Sequence, residues 1–465
     1  MEKCDNLHVL VTNIAIEKIF VYDQKMKREK YNHLLLWKQS PTRKPLVLRG
    51  ARQVGKTHLL KTFGSNEYEE VAYFNFERDI RLREFFKADL APQTIVEHLR
   101  IYSEKQLLPS KTLIIFDEIQ ECPKALNSLK YFYEEMPTMH VAAAGSLLGI
   151  QLAHEKGFPV GKVNFLDLYP LTFLEFLSAV GADSLCKFLA KIEQPVPIAE
   201  GFHQELLGYL RKYFFVGGMP EAVFSYSNSK DLSQVRQIHQ DILDAYELDF
   251  AKHAAPSQVM KISEVWQSIP SQLARENKKF IFSAIRKSAR SREYEAAIQW
   301  LVQAGIILRS SHISVPKIPL SGYENKEIFK IYLLDIGLLS TMSQLPAHAI
   351  LEGHELFTEF KGALTENFVA ETLTSQNIDL FYWTSEGIAE VDFIIEFDTK
   401  ILPLEVKSGT SQHKKSLRFY EQKFVPKMMI RTSLLNLKHD EKVLNIPLYL
   451  LEQILALLKP LKCAR

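Results

Sequence analysis

The sequence predicts an α/β protein: a parallel sheet with helices on both faces, then a mostly helical stretch, then a second α/β layer. Three observations predict it. Between about Arg43 and Glu175, short apolar runs alternate with helical stretches, the rhythm of repeated strand–helix–strand units. The run Leu46–Leu48 leads through a glycine-bounded turn, Gly50–Thr57, into a helix. From about Glu355 onward the order reads helix, strands, helix, strands. The 465 residues make room for about three domains at roughly 150 residues each.

The first sheet is expected to contain Leu46–Leu48, Val71–Phe76, Thr112–Phe116 and His140–Ala144. The turn after the first of these reads Gly50-Ala51-Arg52-Gln53-Val54-Gly55-Lys56-Thr57, which satisfies the P-loop pattern GxxxxGK[ST] in its required strand–loop–helix setting. Its glycines open backbone conformations closed to other residues, so N–H groups can turn inward on an anion. The helix N-terminus adds partial positive charge. Lys56 can reach the β- and γ-phosphates of ATP, and the Thr57 hydroxyl can ligate Mg²⁺.

The second half of such a site is an acidic strand end, which Leu113-Ile-Ile-Phe-Asp117-Glu118 supplies. Asp117 is placed to hold Mg²⁺ through water, and Glu118 to activate the attacking water. Ser146 ends the next strand. Two readings of it are open: a sensor of the γ-phosphate, or a helix-capping serine. Arg49 and Arg275 are both candidate arginine fingers, and nothing in the sequence selects between them.

Leu48–Thr57, Phe116–Gln120, Gly145–Leu148, Leu168–Phe176, and Tyr213 with Gly217-Gly-Met-Pro-Glu-Ala222 together resemble a group of bacterial and archaeal AAA-type ATPases. The resemblance covers nearly the whole chain. It implies ATP and Mg²⁺ as cofactors and a helical lid after the sheet. Gly161-Lys162 stands where that group often has Gly-Arg.

Apolar residues make up 46% of the chain and charged residues 24%, as in ordinary globular proteins. No apolar run is long enough to span a membrane. The stretch Met1–Ile14 mixes charges with apolar residues, unlike a secretory signal. Cys4, Cys122, Cys186 and Cys463 are far apart, which fits a reducing cytoplasm rather than a zinc site or disulfide framework. The 14 histidines form no HxxH pair. The net charge of +2 excludes nucleic-acid binding through global charge, so any basic surface is local.

One local basic stretch runs from Lys261 to Lys330, with 12 Lys/Arg against 6 Glu and no Asp. Lys278–Ser283 reads as a short helix. Ser291 opens a second one, with Tyr294, Ala297, Ile298, Leu301 and Val302 on one face. Ile306–Leu308 and Ile328–Leu333 can form a wing. Arg286, Lys287, Arg290 and Arg292 cluster where a recognition helix would begin. They are open to two readings: contacts to DNA, or a solvated or intersubunit face of a lid.

In the C-terminal layer, Glu366 lies on an expected helix, Gly362–Leu373. Asp392 lies in a strand, and Glu405 and Lys407 share one face of the next strand. Carboxylates from Asp392 and Glu405, assisted by Glu366, could hold Mg²⁺, with Lys407 orienting water. The order helix, three strands (Leu380–Trp383, Val391–Phe397, Ile401–Lys407), helix (Lys414–Phe424), strand (Lys427–Arg431) resembles the PD-(D/E)XK nuclease core, with Val391 in place of the usual proline. The alternative is a set of acids closing amphipathic strands or forming internal salt bridges.

The expected architecture is therefore a P-loop ATPase domain (1–178), a helical lid (179–255), a winged-helix-like region (256–345) and an αβββαβ restriction-endonuclease-like domain (346–465). The expected function is ATP hydrolysis coupled to action on, or binding of, DNA. The competing reading is an ATP-dependent switch that binds a protein partner and carries an inactive nuclease-like domain. Assembly into a homo-oligomer is compatible with both.

Overall fold

Alternation decides how the first sheet is covered. Successive side chains of a strand face opposite ways. Ile114 and Phe116 therefore join one core with Ile95, Leu99, Leu126 and Leu129, while the intervening residues face the P-loop helix, Lys56–Glu67. The computed structural model describes residues 26–459 apart from 88, 147, 150–160, 276–278, 354–357, 386–387 and 410–414. Cys4, Cys463, Leu147, Lys278, Glu355, Lys414 and the stretch Met1–Ile14 lie outside the described residues. The chain divides into two units, Met1–Tyr169 with Gln303–Gly305, and Pro170–Val302 with Ile306–Arg465.

The first unit holds strands β1 (Leu46–Arg49), β2 (Glu70–Asn75), β3 (Thr112–Asp117), β4 (His140–Ala144) and β5 (Asn164–Asp167). They lie in the order β2-β3-β4-β1-β5, and every neighbouring pair is parallel. β3 and β4 are buried at every position, as strands covered on both faces must be. The helices Pro92–Ser103 and Pro123–Glu135 each start on a proline, which costs nothing where no N–H partner exists.

The second unit begins with helices Phe173–Ala179, Asp183–Leu189, Glu200–Val216, Pro220–Ser229, Leu232–His253 and Pro256–Leu273. Its sheet contains β6 (Ile307–Ile313), β7 (Glu324–Leu333), β8 (Phe381–Ser385), β9 (Ala389–Phe397), β10 (Lys400–Val406), β11 (Met429–Ser433), β12 (Lys438–Asp440) and β13 (Val443–Pro447). The order is β12-β13-β11-β10-β9-β8-β6-β7. The hairpin read as a wing thus continues the C-terminal sheet, through parallel pairing of Ser311 with Phe381.

Of the segment read as a helix over Lys278–Ser283, the described residues from Lys279 on hold only the start of a short 3₁₀ turn, Phe282–Ala284. Its backbone is engaged elsewhere. Phe280 N–H donates to Phe329 O at 2.8 Å, and the Gln272 amide bonds both backbone groups of Ile281 at 2.9 and 3.0 Å. Among the described residues no helix is long and apolar enough to cross a membrane. Cys122 and Cys186 are free thiols.

The turn Gly217-Gly218 joins two helices at a close approach. Asp335 is fully buried, accepts from Gly218 N–H at 2.6 Å and caps the helix Ile336–Met342 through Leu338 N–H at 2.9 Å. A Cβ on Gly218 would stand 2.1 Å from Leu171 O, and backbone cannot yield as a flexible side chain can. Gly218→Ala is expected to cost about 3 kcal/mol, the upper range for overpacking. Urea unfolding measures it, and a loss under about 0.5 kcal/mol would contradict the close approach.

Candidate functional site

The loop after β1 is shaped by backbone freedom. Gly50 has φ +147° and Gly55 has φ +94°, values that side chains disfavour. Gly55 lies just before the helix that begins at Lys56. Lys56 is buried and its ammonium donates to Gly50 O at 2.9 Å and Ala51 O at 2.7 Å. Burial pushes this ammonium down to about 8, against the pull of the Glu118 and Asp117 carboxylates. Gln53 at φ +64° completes the curve of the loop. Arg28, from the segment before the sheet, donates to Val54 O at 2.9 Å and Tyr169 O at 2.5 Å.

β4 separates β1 from β3, yet the helix after the loop carries Thr57 across to the end of β3. The Thr57 hydroxyl donates to Asp117 Oδ2 at 2.9 Å and lies 3.2 Å from Oδ1. Asp117 is 3% exposed. It also accepts from the Tyr73 hydroxyl at 2.6 Å and Glu118 N–H at 3.1 Å. Tyr73 and Asn75 share a face of β2, and Asn75 stands in register with Asp117. The strand alternation therefore already held the signal for Tyr73.

Glu118 sits in the left-handed region at φ +49°, a strained position for a residue with a side chain. Burial raises its carboxyl above the usual range, opposed by a hydrogen bond from the Gln120 amide and reinforced by Asp117. Ser146 is buried just beyond β4. Sequence reasoning missed Arg28 and gave Gln120 no role beyond its place in the Phe116–Gln120 motif. A cavity of about 370 Å³ opens beside the P-loop helix, lined by Met26, Arg28, Tyr31, His58, Leu59 and Thr62.

Arg49 is committed within its own sheet. It forms a two-pronged pair with Asp167 at 2.8 Å and 2.8 Å and stacks 4.3 Å from the Phe165 ring centre. Arg275 is exposed in the turn after Pro256–Leu273. Lys162 pairs with Glu134 at 3.0 Å.

In the second unit the four residues singled out in the C-terminal layer take different partners. Glu405 is buried and pairs with Lys407 at 2.8 Å. Asp392 instead accepts from Val406 N–H at 2.7 Å. Burial and then the nearby Glu366 carboxylate push Asp392 up to about 7. Glu366, on the helix Thr358–Ser375, accepts from the Tyr332 hydroxyl at 3.3 Å and lies 3.7 Å from the Lys330 ammonium. Lys330 also pairs with Glu390. Among the described residues no group of three or more His, Cys, Asp or Glu is arranged to hold a metal. Sequence reasoning passed over Lys330, whose signal is one charge inside the apolar run Ile328–Leu333.

Residues 42–177 match the AAA domain family. Taken with the parallel sheet and the loop after β1, that match makes this segment a P-loop ATPase domain of AAA type. Residues 207–349 match a domain of unknown function (DUF8612), and residues 361–451 match another (DUF4143). No curated protein matches the chain. Among solved structures, a Walker-type ATPase of Pyrococcus abyssi is 14% identical, with a TM-score of 0.41, covering 68% of this chain and 95% of that one. The RuvB Holliday junction branch migration motor of Thermotoga maritima is 13% identical, with a TM-score of 0.29, covering 61% of this chain and 90% of that one. AMPPCP-bound DnaA of Aquifex aeolicus is 13% identical, with a TM-score of 0.26, covering 60% and 87%.

Arg28→Ala removes two hydrogen bonds from a charged donor. It is expected to cost about 1–3 kcal/mol, read by denaturant unfolding. Unchanged stability would mean that the Arg28 clamp on the loop does not form in solution.

Proposed function

We propose that this chain binds ATP with Mg²⁺ through Gly50–Thr57 and hydrolyses it at the end of β3. The meeting of Thr57 and Asp117 at 2.9 Å carries the reading. A hydroxyl and a carboxylate are the oxygen donors a hard divalent cation takes. When bound, Mg²⁺ offsets the charge that develops on the transferred phosphoryl group. The backbone N–H groups of Ala51, Arg52, Gln53, Val54 and Gly55 hold phosphate oxygens, helped by the helix N-terminus. Lys56 adds its ammonium beside them.

Glu118 is the base in this reading. Water attacks the γ-phosphorus, the bond to the β–γ bridging oxygen breaks, ADP leaves, and the water proton passes to Glu118. The raised Glu118 carboxyl is better matched to that task than an ordinary one. Gln120 orients it. Ser146 is placed to sense the γ-phosphate. The cavity beside Tyr31 and His58 is the natural place for the nucleoside.

The C-terminal order supports a PD-(D/E)XK-like module. The helix Thr358–Ser375, β8, β9, β10, the helix Lys415–Phe424 and β11 run αβββαβ. In this reading the domains are 1–178, 179–255, 256–345 and 346–465, and the C-terminal half acts on or binds DNA. The exposed Arg286, Lys287, Arg290 and Arg292 support phosphate contact. A second reading, a switch with an inactive nuclease-like domain, is favoured by the Lys330 pairs with Glu366 and Glu390.

Lys56→Ala is expected to weaken binding of a fluorescent ATP analogue at least about tenfold, a loss of about 1.4 kcal/mol or more. Glu118→Gln is expected to keep binding and lose about 100-fold or more in turnover. Retained turnover in that variant would falsify the role given to Glu118. DNA-stimulated hydrolysis supports the nucleic-acid reading, and hydrolysis indifferent to DNA and RNA favours the switch.

The pH dependence follows from Lys56. In the free protein its ammonium titrates near about 8, and a bound polyphosphate favours the charged form. ATP affinity is therefore expected to fall as pH rises past that value, by at most about tenfold per unit. Titrations between pH 7 and 9.5 test it, and a flat profile contradicts it.

A further inference from the structure

β7 places one cation inside the C-terminal layer. Its neighbours Phe329 and Ile331 are buried apolar residues, and Lys330 itself is 0% exposed. The residue opposite it on β6 is Ser310, small enough to leave the lysine stem a path across the sheet. The ammonium passes 4.9 Å from the ring centre of Tyr382 on β8. It ends against Glu390 on β9 and 3.7 Å from Glu366 on the covering helix. Asp392 follows Glu390 by two residues and so faces the same side of β9. Tyr332, two residues after Lys330 on β7, donates to Glu366 at 3.3 Å.

We propose that Lys330 is a built-in cation that takes the place of a divalent metal among Glu366, Glu390 and Asp392. This deepens the second reading above. A carboxylate set in which Glu366 is buried and Glu390 and Asp392 are half-buried needs a counter-charge, since desolvated anions left unpaired are costly. A metal ion and a buried ammonium are alternative solutions in the same space. The ammonium offers only hydrogen-bond donors. It cannot act as a Lewis acid or lower the pKa of a bound water, so the module holds its ligand without cutting it. The cluster then has a structural task as well. It ties β7, β9 and the helix Thr358–Ser375 into one register, alongside Asn367, whose amide bonds both backbone groups of Leu333 at 2.7 and 3.0 Å.

The test is manganese binding by the full chain without nucleotide, read from the loss of the free Mn²⁺ signal by electron paramagnetic resonance. Wild type and Asp392→Asn are expected to bind the same amount. Lys330→Met keeps the stem volume and removes the charge. It is expected to gain one Mn²⁺ per chain, and Lys330→Met/Asp392→Asn to lose it again. In EDTA Lys330→Met is expected to melt at lower temperature than wild type, with Mn²⁺ restoring part of the difference. Manganese uptake by wild type that Asp392→Asn abolishes would overturn the proposal, and that comparison holds even if Lys330→Met does not fold. A folded Lys330→Met that gains no manganese would also overturn it. Metal-dependent DNA cleavage, assayed separately on the same wild-type protein, bears on the second reading. Cleavage lost in Asp392→Asn defeats both. Cleavage indifferent to Asp392 defeats only the inactive-module reading and leaves the lysine in place.

Discussion

The contact between the Thr57 hydroxyl and the Asp117 carboxylate spans β4, which lies between β1 and β3. In a parallel sheet every strand delivers its carboxyl end to the same edge. The loop after β1, the acid closing β3 and the serine beyond β4 therefore collect along one rim. Adjacent strands stand about 4.8 Å apart, so the intervening strand sets a gap that a helix-borne side chain must cross. Thr57, in the first turn of the helix, does so. β4 itself runs His-Val-Ala-Ala-Ala and is buried throughout. Its small side chains suit the centre of a sheet whose two faces are both covered.

The two units solve burial differently. The first core is assembled from aliphatic and phenyl side chains, with Phe116 packed edge-on against Phe76, Phe86 and Phe132. Its charged groups gather at the strand ends. The second unit carries charge into its interior. Asp335 is pushed up to about 6 by burial and held by backbone N–H groups. Glu371 is raised far above the carboxylate range by burial and by Asp335. Such groups contribute less to stability than apolar residues of equal volume. Their geometric demands are stricter, so they fix which backbone groups meet, as Asp335 does for Gly218 and Leu338.

Much of this was legible in the sequence, and the misses share a cause. Runs such as Thr112–Phe116 announce themselves because a strand buried on both faces must be apolar throughout. β5 was invisible for the opposite reason. Asn164–Asp167 is half-buried or exposed at each position, and its pairing with β1 rests on backbone bonds and the Arg49–Asp167 pair. The expected helix at Lys278–Ser283 failed because the Gln272 side chain and the sequence-distant Phe329 claim its backbone. Glu405 and Lys407 pair at 2.8 Å, although β10 ends at Val406 and Lys407 lies just beyond it. Asp392 reaches the same stretch, its carboxylate bonding Val406 N–H between them, while its electrostatic neighbours are Glu366 and Lys330. Strand alternation gives the face of a residue, not which neighbour will neutralise it.

The same limit applies to the basic stretch. A sequence count gives 12 cations against 6 acids between Lys261 and Lys330, but the fold distributes them unequally. Lys330 is spent inside the sheet. Arg309 pairs with Glu295 at 2.9 Å and stacks on Phe329. Arg286 lies 3.5 Å from Glu293 and close to the Tyr294 ring. Lys287, Arg290 and Arg292 stay exposed with it at the start of the helix Ser291–Gln303. A handful of exposed cations next to a helix start can neutralise a few phosphates, each lowering the logarithm of affinity by about 0.9 per tenfold rise in salt. Recognition of that kind is shallow in sequence and steep in salt.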